Sequence, residues 1–589
     1  MQKLDPTKMK DWEIAHASEK NLRAVSDVIN ELGLQDDEWV QYGSALAKID
    51  AQKVLTRVGA NGKKAKYIDV TAITPTPLGE GKTTTSVGLV EGLGLLGKKV
   101  IGCLRQPSGG PTFNIKGSAA GGGLAQVIPL TSLSLGLTGD NDAVTNANNL
   151  AMVALNARMQ HERNHDDEWL AARGLKRLDI DPERIQLKWA IDFCAQGLRD
   201  IEIGRGGALD GFKMSSGFYI TVASEVMAIL SMASDLADLR KRLSKMVVAY
   251  SKSGKSVTTR DLEVDGAMCA ILVNALKPTL MQTIEGQPVF VHAGPFANIA
   301  IGQNSVIADR LACALGDYVV TESGFASDMG FEKFWNIKCA CSGLKPDAIV
   351  LVATVRALKA HGGAPQVKAG MPLDEVYTSE NLELLEKGCE NLKAHIDIIL
   401  RSGVKPIVCL NAFYTDTKAE RELVRKVAEE AGVRFAVSDH WLMGGEGALE
   451  LAKEVIAQCD EPNDFKPLCE EGTTISHRIE SIVKEVYGGD GVDFTPEAAA
   501  KLELLEKDEE ASKYHVCVAK TQYSLSHDPK LLGRPKNWRL PVRDILVYGG
   551  AGLVVPVTGE IKLLPGTSAS PAFRRIDVDV QTGQIKGLF

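Results

Sequence analysis

The sequence predicts an α/β fold built around a parallel sheet, and three observations lead to this prediction. A short apolar and β-branched segment, Tyr67 to Ile73, is followed by a glycine-containing loop and by a helical pattern that starts at Lys82. A second apolar segment, Lys99 to Leu104, follows this helix, and strand, helix and strand in this order form a right-handed crossover between parallel strands. Apolar segments alternate with helical patterns again after Asp347, which extends the same architecture.

The loop between the first predicted strand and its helix has the composition of a phosphate-binding loop. It runs from Thr74 to Gly81 and is followed by Lys82 and Thr83. In a P-loop, backbone N–H groups and a helix N-terminus surround an anion, the lysine reaches the outer phosphates, and the hydroxyl holds Mg²⁺. We therefore predict a P-loop NTPase-like domain in which Thr83 contacts the Mg²⁺ that is bound with the nucleotide. The predicted ATP-binding residues are Thr76, Pro77, Leu78, Gly79, Glu80, Gly81, Lys82, Thr83 and Thr84.

The match to the P-loop pattern is incomplete. The first glycine of that pattern lies six residues before the lysine, and Thr76 occupies this position here. Two prolines also stiffen the loop. The residues alone therefore leave open an ordinary turn between a strand and a helix.

A glycine-rich segment follows the second predicted strand, from Arg105 to Gly123. Its glycine content argues against a regular element, and so much backbone freedom is normally retained where the backbone approaches a ligand closely. The segment lies at the carboxyl end of a strand, where open α/β sheets bind ligands, and Arg105 and Lys116 supply positive charge. We therefore predict an active-site loop rather than a flexible linker.

The composition is that of a globular protein and argues against several other classes. The chain has 589 residues, of which 44% are hydrophobic and 24% charged, so about three domains are expected. A formal net charge of −8 argues against a broad nucleic-acid surface, and no apolar run predicts a signal peptide or a membrane span. The eleven cysteines lie mostly in apolar or helical surroundings, which favours reduced thiols and a cytoplasmic location. The closest pair, Cys339 and Cys341, is predicted to be buried rather than metal-binding.

Hydrophobic periodicity predicts the remaining elements. The predicted helices are Glu13–Leu32, Trp39–Ile49, Asp140–Ala157, Ser379–Ser402, Thr417–Ala431, Ile479–Val486 and Phe494–Glu510. The further predicted strands are Ala348–Ala353, Pro406–Leu410 and Arg434–Val437, with late strands in Lys520–Ser524 and Val547–Gly559. We divide the chain into a P-loop domain (1–375), a smaller α/β domain (376–470) and a C-terminal α+β domain (471–589).

Two aromatic residues follow neighbouring predicted strands in the smaller domain. Phe413 comes after the strand that starts at Pro406, and Trp441 comes after the strand that starts at Arg434. If these strands are parallel neighbours, both rings stand at the same carboxyl edge and can form a slot for a flat heterocycle. The residues alone leave open that each ring is simply part of the core.

Long motifs along the whole chain, in order, resemble those of the formate–tetrahydrofolate ligase (formyltetrahydrofolate synthetase) family. They are TPTPLGEGKTTT, RQPSGGPTF, AAGGG, LTGD, ANNL, TVASEVMAIL, HAGPFANIA, RALKAHGG, DHW and AKTQYS. The resemblance implies a two-step acyl activation with ATP, Mg²⁺ and tetrahydrofolate. Formate is phosphorylated to formyl phosphate, and N10 of tetrahydrofolate then attacks it to give 10-formyltetrahydrofolate, ADP and phosphate.

The resemblance also implies roles for particular residues. Lys82 and its loop bind the nucleotide, and Arg105 clamps formyl phosphate, since a guanidinium suits a multiply charged oxyanion. Asp140 accepts a proton or holds the attacking amine, with a helix N-cap as the alternative interpretation. Phe413 and Trp441 sandwich the pterin ring. A homotetramer is implied as well.

The chain departs from the family pattern at three positions where family members usually carry histidine: Gly136, Asp142 and Ile301. Gln106 occupies a position where the family has glutamate or glutamine, so a monovalent cation stays open as a further cofactor. Two alternatives to the ligase are therefore kept. One is a divergent paralogue that activates another small carboxylate or uses another amine acceptor, and the other is a non-catalytic P-loop nucleotide-binding protein.

Overall fold

The computed structural model describes residues 4–59, 65–110, 120–296, 298–367, 372–559, 562–567 and 569–588. The middle of the predicted active-site loop, residues 111–119 with Lys116, lies outside the described residues.

One twelve-stranded mixed sheet organises the fold. Its strands are β1 (Trp39–Tyr42), β2 (Leu46–Ile49), β3 (Lys66–Ala72), β4 (Val100–Leu104), β5 (Gly121–Gly122), β6 (Ala125–Ile128), β7 (Thr279–Thr283), β8 (Pro288–Val291), β9 (Tyr318–Glu322), β10 (Ala348–Ala353), β11 (Pro406–Asn411) and β12 (Arg434–Ser438). The order across the sheet is β1-β2-β7-β8-β4-β9-β3-β10-β11-β12, and β6 joins β5 to β7. The strands from β8 to β12 in this order pair in parallel, whereas β1, β2, β7 and β8 pair antiparallel.

Helices cover both faces of the sheet and complete an α/β fold. They are α1 (Asp11–Glu19), α2 (Val25–Leu32), α3 (Ala51–Val58), α4 (Lys82–Leu95), α5 (Leu130–Ser134), α6 (Asp140–Asn164), α7 (Asp167–Ala171), α8 (Glu225–Met232), α9 (Leu236–Ser244), α10 (Asp265–Leu272), α11 (Val306–Leu315), α12 (Cys339–Ser342), α13 (Val355–His361), α14 (Leu382–Arg401), α15 (Lys418–Glu430), α16 (His440–Met443), α17 (Leu449–Cys459), α18 (Ile475–Ser481) and α19 (Pro496–Lys507). Short π-helical segments lie between these helices, at Ser327–Phe331, Phe334–Lys338 and Ile482–Tyr487.

Smaller sheets lie outside the large one and carry the remaining strands. These are Ile180–Ile185, Trp189–Ala190, Ile201–Ile203, Met214–Ser216, Phe218–Tyr219, Val247–Ser251, Ser256–Thr258, Val492–Phe494, His515–Val516, Leu540–Val542, Asp544–Tyr548, Leu553–Val557, Asp577–Val578 and Ile585–Lys586.

Strand β3 shows why the centre of the sheet forms. Ile68, Val70 and Ala72 belong to a core cluster that includes residues of α4 and α17, whereas Tyr67 belongs to the larger cluster that includes residues of α11 and α14. Both faces of the strand are thus buried, as expected for a central parallel strand. The predicted order of strand, loop and helix is confirmed, because β3 ends at Ala72 and α4 begins at Lys82.

Two predictions for the N-terminal region are wrong. The segment Trp39–Ile49 forms the antiparallel pair β1 and β2 rather than a helix. The apolar residues of β2 are buried because it also pairs with β7, a strand about 230 residues away along the chain, and periodicity does not reveal this contact. The predicted helix Glu13–Leu32 is divided into α1 and α2.

The C-terminal predictions have a mixed outcome. The hairpin Asp544–Tyr548 and Leu553–Val557 confirms strand structure in Val547–Gly559, and α19 confirms the late helix. Lys520–Ser524 is not a strand. The buried Lys520 ammonium instead donates to the carbonyl of Ser524 at 2.6 Å and pairs with Asp328 at 2.6 Å, which requires the chain to curl around it.

The large sheet continues across the predicted boundary between the first two domains. Strands β11 and β12, from the 376–470 segment, pair with β10 in the same sheet as β3. The division of the chain into three domains therefore stays a prediction. The large sheet shows no boundary between the first two of them.

No helix in the described ranges combines the length and apolar character needed to cross a membrane. Among the same residues no group of three or more His, Cys, Asp or Glu side chains is arranged to hold a metal ion. Cys339 is buried as predicted, and Cys341 is partly buried with its Sγ 3.3 Å from Nε2 of His515.

Candidate active site

The loop after β3 presents backbone groups at the carboxyl edge of the sheet. Gly79 and Gly81 have φ angles of 80° and 74°, which a residue with a Cβ adopts only with strain. A Cβ on Gly81 would also lie 2.5 Å from Nδ2 of Asn411. Helix α4 starts directly after Gly81, and no side chain caps its first turn. The N–H groups of this turn are therefore suited to bind an anion, and Lys82 stands at the first helical position.

Glu80, predicted from sequence as an ATP contact, has its carboxylate inside the loop. It accepts hydrogen bonds from Thr76 through the backbone N–H at 2.7 Å and the hydroxyl at 2.8 Å, and another from the Thr354 hydroxyl. The guanidinium of Arg356 lies 3.6 Å from the same carboxylate and donates to the Gly79 carbonyl at 2.6 Å. Glu80 thus stabilises the conformation of the loop through contacts on its inner side.

Thr74, the first residue of the loop, is held by two buried histidines. Its backbone N–H donates to Nε2 of His395 at 2.9 Å, and its carbonyl accepts from Nε2 of His361 at 3.0 Å. Burial lowers the pKa of His395 to about 4 and lowers that of His361, so both rings are neutral at pH 7. The Gly533 N–H donates to Nδ1 of His361 at 3.2 Å, so the C-terminal region also supports the loop.

A buried carboxylate brings the loop and Arg105 together. Glu322 ends strand β9, which lies between β3 and β4. Its Oε2 accepts from the Thr83 hydroxyl at 2.7 Å, and its Oε1 lies 3.7 Å from Nη2 of Arg105. The buried Nε of Arg105 has no hydrogen-bond partner within the described ranges, so it can still donate to a ligand. Sequence reasoning missed Glu322, although its place directly after the β-branched and aromatic run 318–321 was a usable signal.

Asp140 is committed to a buried ion pair. Its Oδ1 accepts from Nζ of Lys48 at 2.9 Å, and its Oδ2 accepts from the Ala293 N–H at 3.1 Å. Gly139, not Asp140, is the N-cap residue of α6, so the N-cap interpretation is wrong. Asp140 here links the backbone at Ala293 to Lys48 of β2. Its catalytic role stays a prediction.

The three positions that depart from the family pattern do not share one surface. Ile301 is fully buried in the hydrophobic core, whereas Asp142 is exposed on α6. Gly136 lies in a turn with φ 70°, and a Cβ there would contact nothing within 4 Å.

The Gln106 amide is fully engaged in loop contacts. Its Nε2 donates to the carbonyls of Pro107 at 3.0 Å and Leu133 at 3.2 Å, and its Oε1 accepts from the Thr138 hydroxyl. Gln106 therefore ties the loop after β4 to the turn that carries Gly136.

The two aromatic residues do follow neighbouring parallel strands. In the register of β11 and β12, Asn411 is opposite Ser438, so Phe413 and Trp441 leave the sheet at the same edge. Both side chains are partly buried. The Leu124 N–H donates to the Trp441 carbonyl at 2.9 Å, and a Cβ on Gly123 would lie 2.8 Å from Cδ1 of this indole.

Comparison with known proteins identifies the family. The family model described as "Formate--tetrahydrofolate ligase" matches residues 9–589. A protein of this name from Dehalococcoides mccartyi is 62% identical over 586 residues, covering 100% of this chain and 98% of its own. Others from Desulforapulum autotrophicum and Desulfotalea psychrophila are 57% and 60% identical, covering 100% and 95% of this chain and all of their own length. The chain belongs to the formate–tetrahydrofolate ligase family.

Proposed function

We propose that this protein ligates formate to tetrahydrofolate at the expense of ATP, through formyl phosphate, and releases 10-formyltetrahydrofolate, ADP and phosphate. The observation that carries the proposal is the position of Glu322, which contacts Thr83 in the first turn of α4 and lies beside Arg105. A nucleotide phosphate bound at the loop would therefore lie near Arg105, which follows β4. In the sheet, only β9 separates β4 from β3, the strand that leads into the loop.

The first step is phosphoryl transfer. A formate oxygen attacks the γ-phosphorus, and the bond from that phosphorus to the ADP oxygen breaks. The N–H groups at the start of α4, Lys82 and Arg105 stabilise the charge on the equatorial oxygens, and fixed donors of this kind are the main source of catalysis in phosphoryl transfer. Glu322 keeps the Arg105 guanidinium at the site while its Nε remains available.

The residues around Thr83 suit the magnesium ion that accompanies ATP. The Thr83 hydroxyl and the Glu322 carboxylate are 2.7 Å apart, and oxygen atoms are the ligands that Mg²⁺ prefers. We propose that these two residues hold the ion, which offsets phosphate charge when bound.

The second step is acyl transfer to the substrate tetrahydrofolate. The N10 lone pair attacks the formyl carbon, the bond to the phosphate oxygen breaks, and N10 loses its proton. We propose that Phe413 and Trp441 position the pterin ring for this attack, since orientation alone lowers such barriers substantially. Asp140 remains our proposal for receiving the proton or holding the amine. A homotetramer, a cytoplasmic location and three domains are retained as parts of the proposal.

The divergent paralogue finds no specific support. A changed acyl pocket needs the departing side chains to line one cavity, and Ile301 and Asp142 lie in the core and at the surface respectively. A non-catalytic nucleotide-binding protein does not account for the two rings at the same edge of the sheet as the loop.

The proposal is tested by ADP release from purified protein with Mg-ATP and tetrahydrofolate, with and without formate. We expect formate-dependent ADP release matched by an equal amount of 10-formyltetrahydrofolate. Formate-independent release, or release without formylfolate, would contradict the proposal. In that case a panel of other small carboxylates identifies the acid.

The Arg105→Ala variant tests the clamp. Loss of one preorganised donor is expected to lower kcat by about 100- to 1000-fold while the ATP affinity changes less than about threefold. Arg205→Ala, at an arginine that is 76% exposed, serves as the control. Equal kcat values for the two variants would remove Arg105 from the mechanism.

A further inference from the structure

Arg356 contacts both the nucleotide loop and the proposed pterin slot. It lies in the first turn of α13, and its side chain is only 15% exposed. One end of the guanidinium donates to the Gly79 carbonyl at 2.6 Å, and its central carbon lies 5.0 Å from the centroid of the Phe413 ring. This is the distance of a cation–π contact, which fixes the ring and the guanidinium relative to each other.

A second contact joins the same two regions. Nδ2 of Asn411 donates to the Glu80 carbonyl at 3.1 Å, and Asn411 is two residues before Phe413. The chain segment that carries the ring therefore touches the loop beside Gly81. The two predicted sites are parts of one connected structure, although they lie about 330 positions apart in sequence.

This connection has a consequence for ligand binding. Phosphate bound at the start of α4 places negative charge near the Arg356 guanidinium, whose buried Nε has no hydrogen-bond partner among the described residues. The attraction restricts the guanidinium and, through the cation–π contact, the Phe413 ring. A pterin that stacks on a ring already held in place loses less conformational entropy on binding.

From these contacts we infer that Arg356 is a positioning residue shared by the two sites, through which nucleotide and pterin each favour the binding of the other. The inference rests on the proposed function, because that function supplies the two ligands. The coupling is reciprocal, since each ligand must change the affinity of the other by the same factor.

The test measures tetrahydrofolate affinity by calorimetry under anaerobic conditions, with and without Mg²⁺ and a non-hydrolysable ATP analogue. For the unmodified protein we expect pterin to bind about five- to tenfold more tightly with the analogue present. In Arg356→Gln this ratio is expected to fall to about one. Arg356→Lys, which keeps the charge but loses the planar group, is expected to give an intermediate ratio and replaces the first variant if that fails to fold.

Arg425→Gln is the matched control. The Arg425 guanidinium lies 4.6 Å from the centroid of Phe435, a similar cation–π contact, and its ion pairs are with Glu422 and Glu450 rather than with the nucleotide loop. This variant should keep the full ratio. A ratio retained in Arg356→Gln, or lost equally in Arg425→Gln, overturns the inference.

The outcomes separate this inference from the proposed function. An active ligase in which the unmodified protein shows a ratio of one overturns only the inference. Coupled binding without formate-dependent ADP release overturns only the proposed reaction. A protein that binds no tetrahydrofolate overturns both.

Discussion

The nucleotide loop and the aromatic pair lie at the same edge of the sheet but are built in different ways. The loop is held from several directions by buried polar groups, among them Thr354, His361 and His395. Phe413 and Trp441 are partly buried and extend from short segments just beyond two strands. An anion site needs fixed N–H donors, so its backbone must be immobilised, whereas a slot for a flat ring needs mainly shape and spacing.

The strongest test of this difference is Glu80→Gln. The amide keeps the size of the side chain but turns one acceptor into a donor, so one of the buried N–H or O–H groups that donate to Glu80 loses its partner and Arg356 loses a counter-charge. We expect ATP affinity to fall about 100-fold, or about 2.7 kcal/mol, while tetrahydrofolate affinity without nucleotide changes less than about threefold. Calorimetric titration of each ligand checks this.

Glu383→Gln provides the control for this prediction, because Glu383 is 80% exposed on α14. If Glu80→Gln binds ATP as well as this control does, the internal contacts of the loop do not determine nucleotide affinity. The contrast between the two regions would then be wrong.

The second prediction concerns His395 and pH. Its pKa of about 4 in the folded protein lies below the value of about 6.5 in the unfolded chain, so only the unfolded chain binds a proton between these values. The stability that neutral His395 contributes is therefore present above pH 6.5 and lost as pH falls towards 4. The free energy of unfolding of the natural protein should exceed that of His395→Gln by a margin that decreases by about 2 kcal/mol from pH 6.5 to pH 5.

Thermal unfolding of the two proteins across this pH range measures the effect, and other titrating groups cancel in the difference. His477→Gln, at an exposed histidine, serves as the control. A difference between the natural protein and His395→Gln that is constant with pH would mean that His395 is not held neutral.

The smallest expected effect is in the aromatic pair. Phe413→Leu keeps an apolar side chain but removes ring stacking, which contributes about 0.5–1.5 kcal/mol, so tetrahydrofolate affinity should fall about three- to tenfold. ATP affinity, measured without pterin, should stay within about twofold. Tyr414→Leu changes the adjacent aromatic residue, which is 84% exposed, and should have no effect on either ligand. Equal loss of tetrahydrofolate affinity in both variants would contradict the slot.

Much of the candidate site was accessible from the sequence. The strand, loop and helix around Lys82 were predicted because β-branched patterns and glycines at positive φ act locally. The common edge of Phe413 and Trp441 was predicted because consecutive parallel strands end on the same side of a sheet. The slot for a flat ring was also predicted from the residues, whereas the pterin as its ligand and the clamping of formyl phosphate by Arg105 came from the family resemblance. All three stay predictions.

The sequence by itself therefore determined many local elements of this protein, among them the strand, loop and helix around Lys82, and the family to which it belongs. Only the tertiary structure decided that Trp39–Ile49 pairs as strands, that Glu322 meets Thr83, and that Asp140 is neutralised by Lys48. These contacts join segments far apart in the chain, and they depend on the order of strands across the sheet. Local propensity does not encode that order, because it arises from which faces can be buried together in one core.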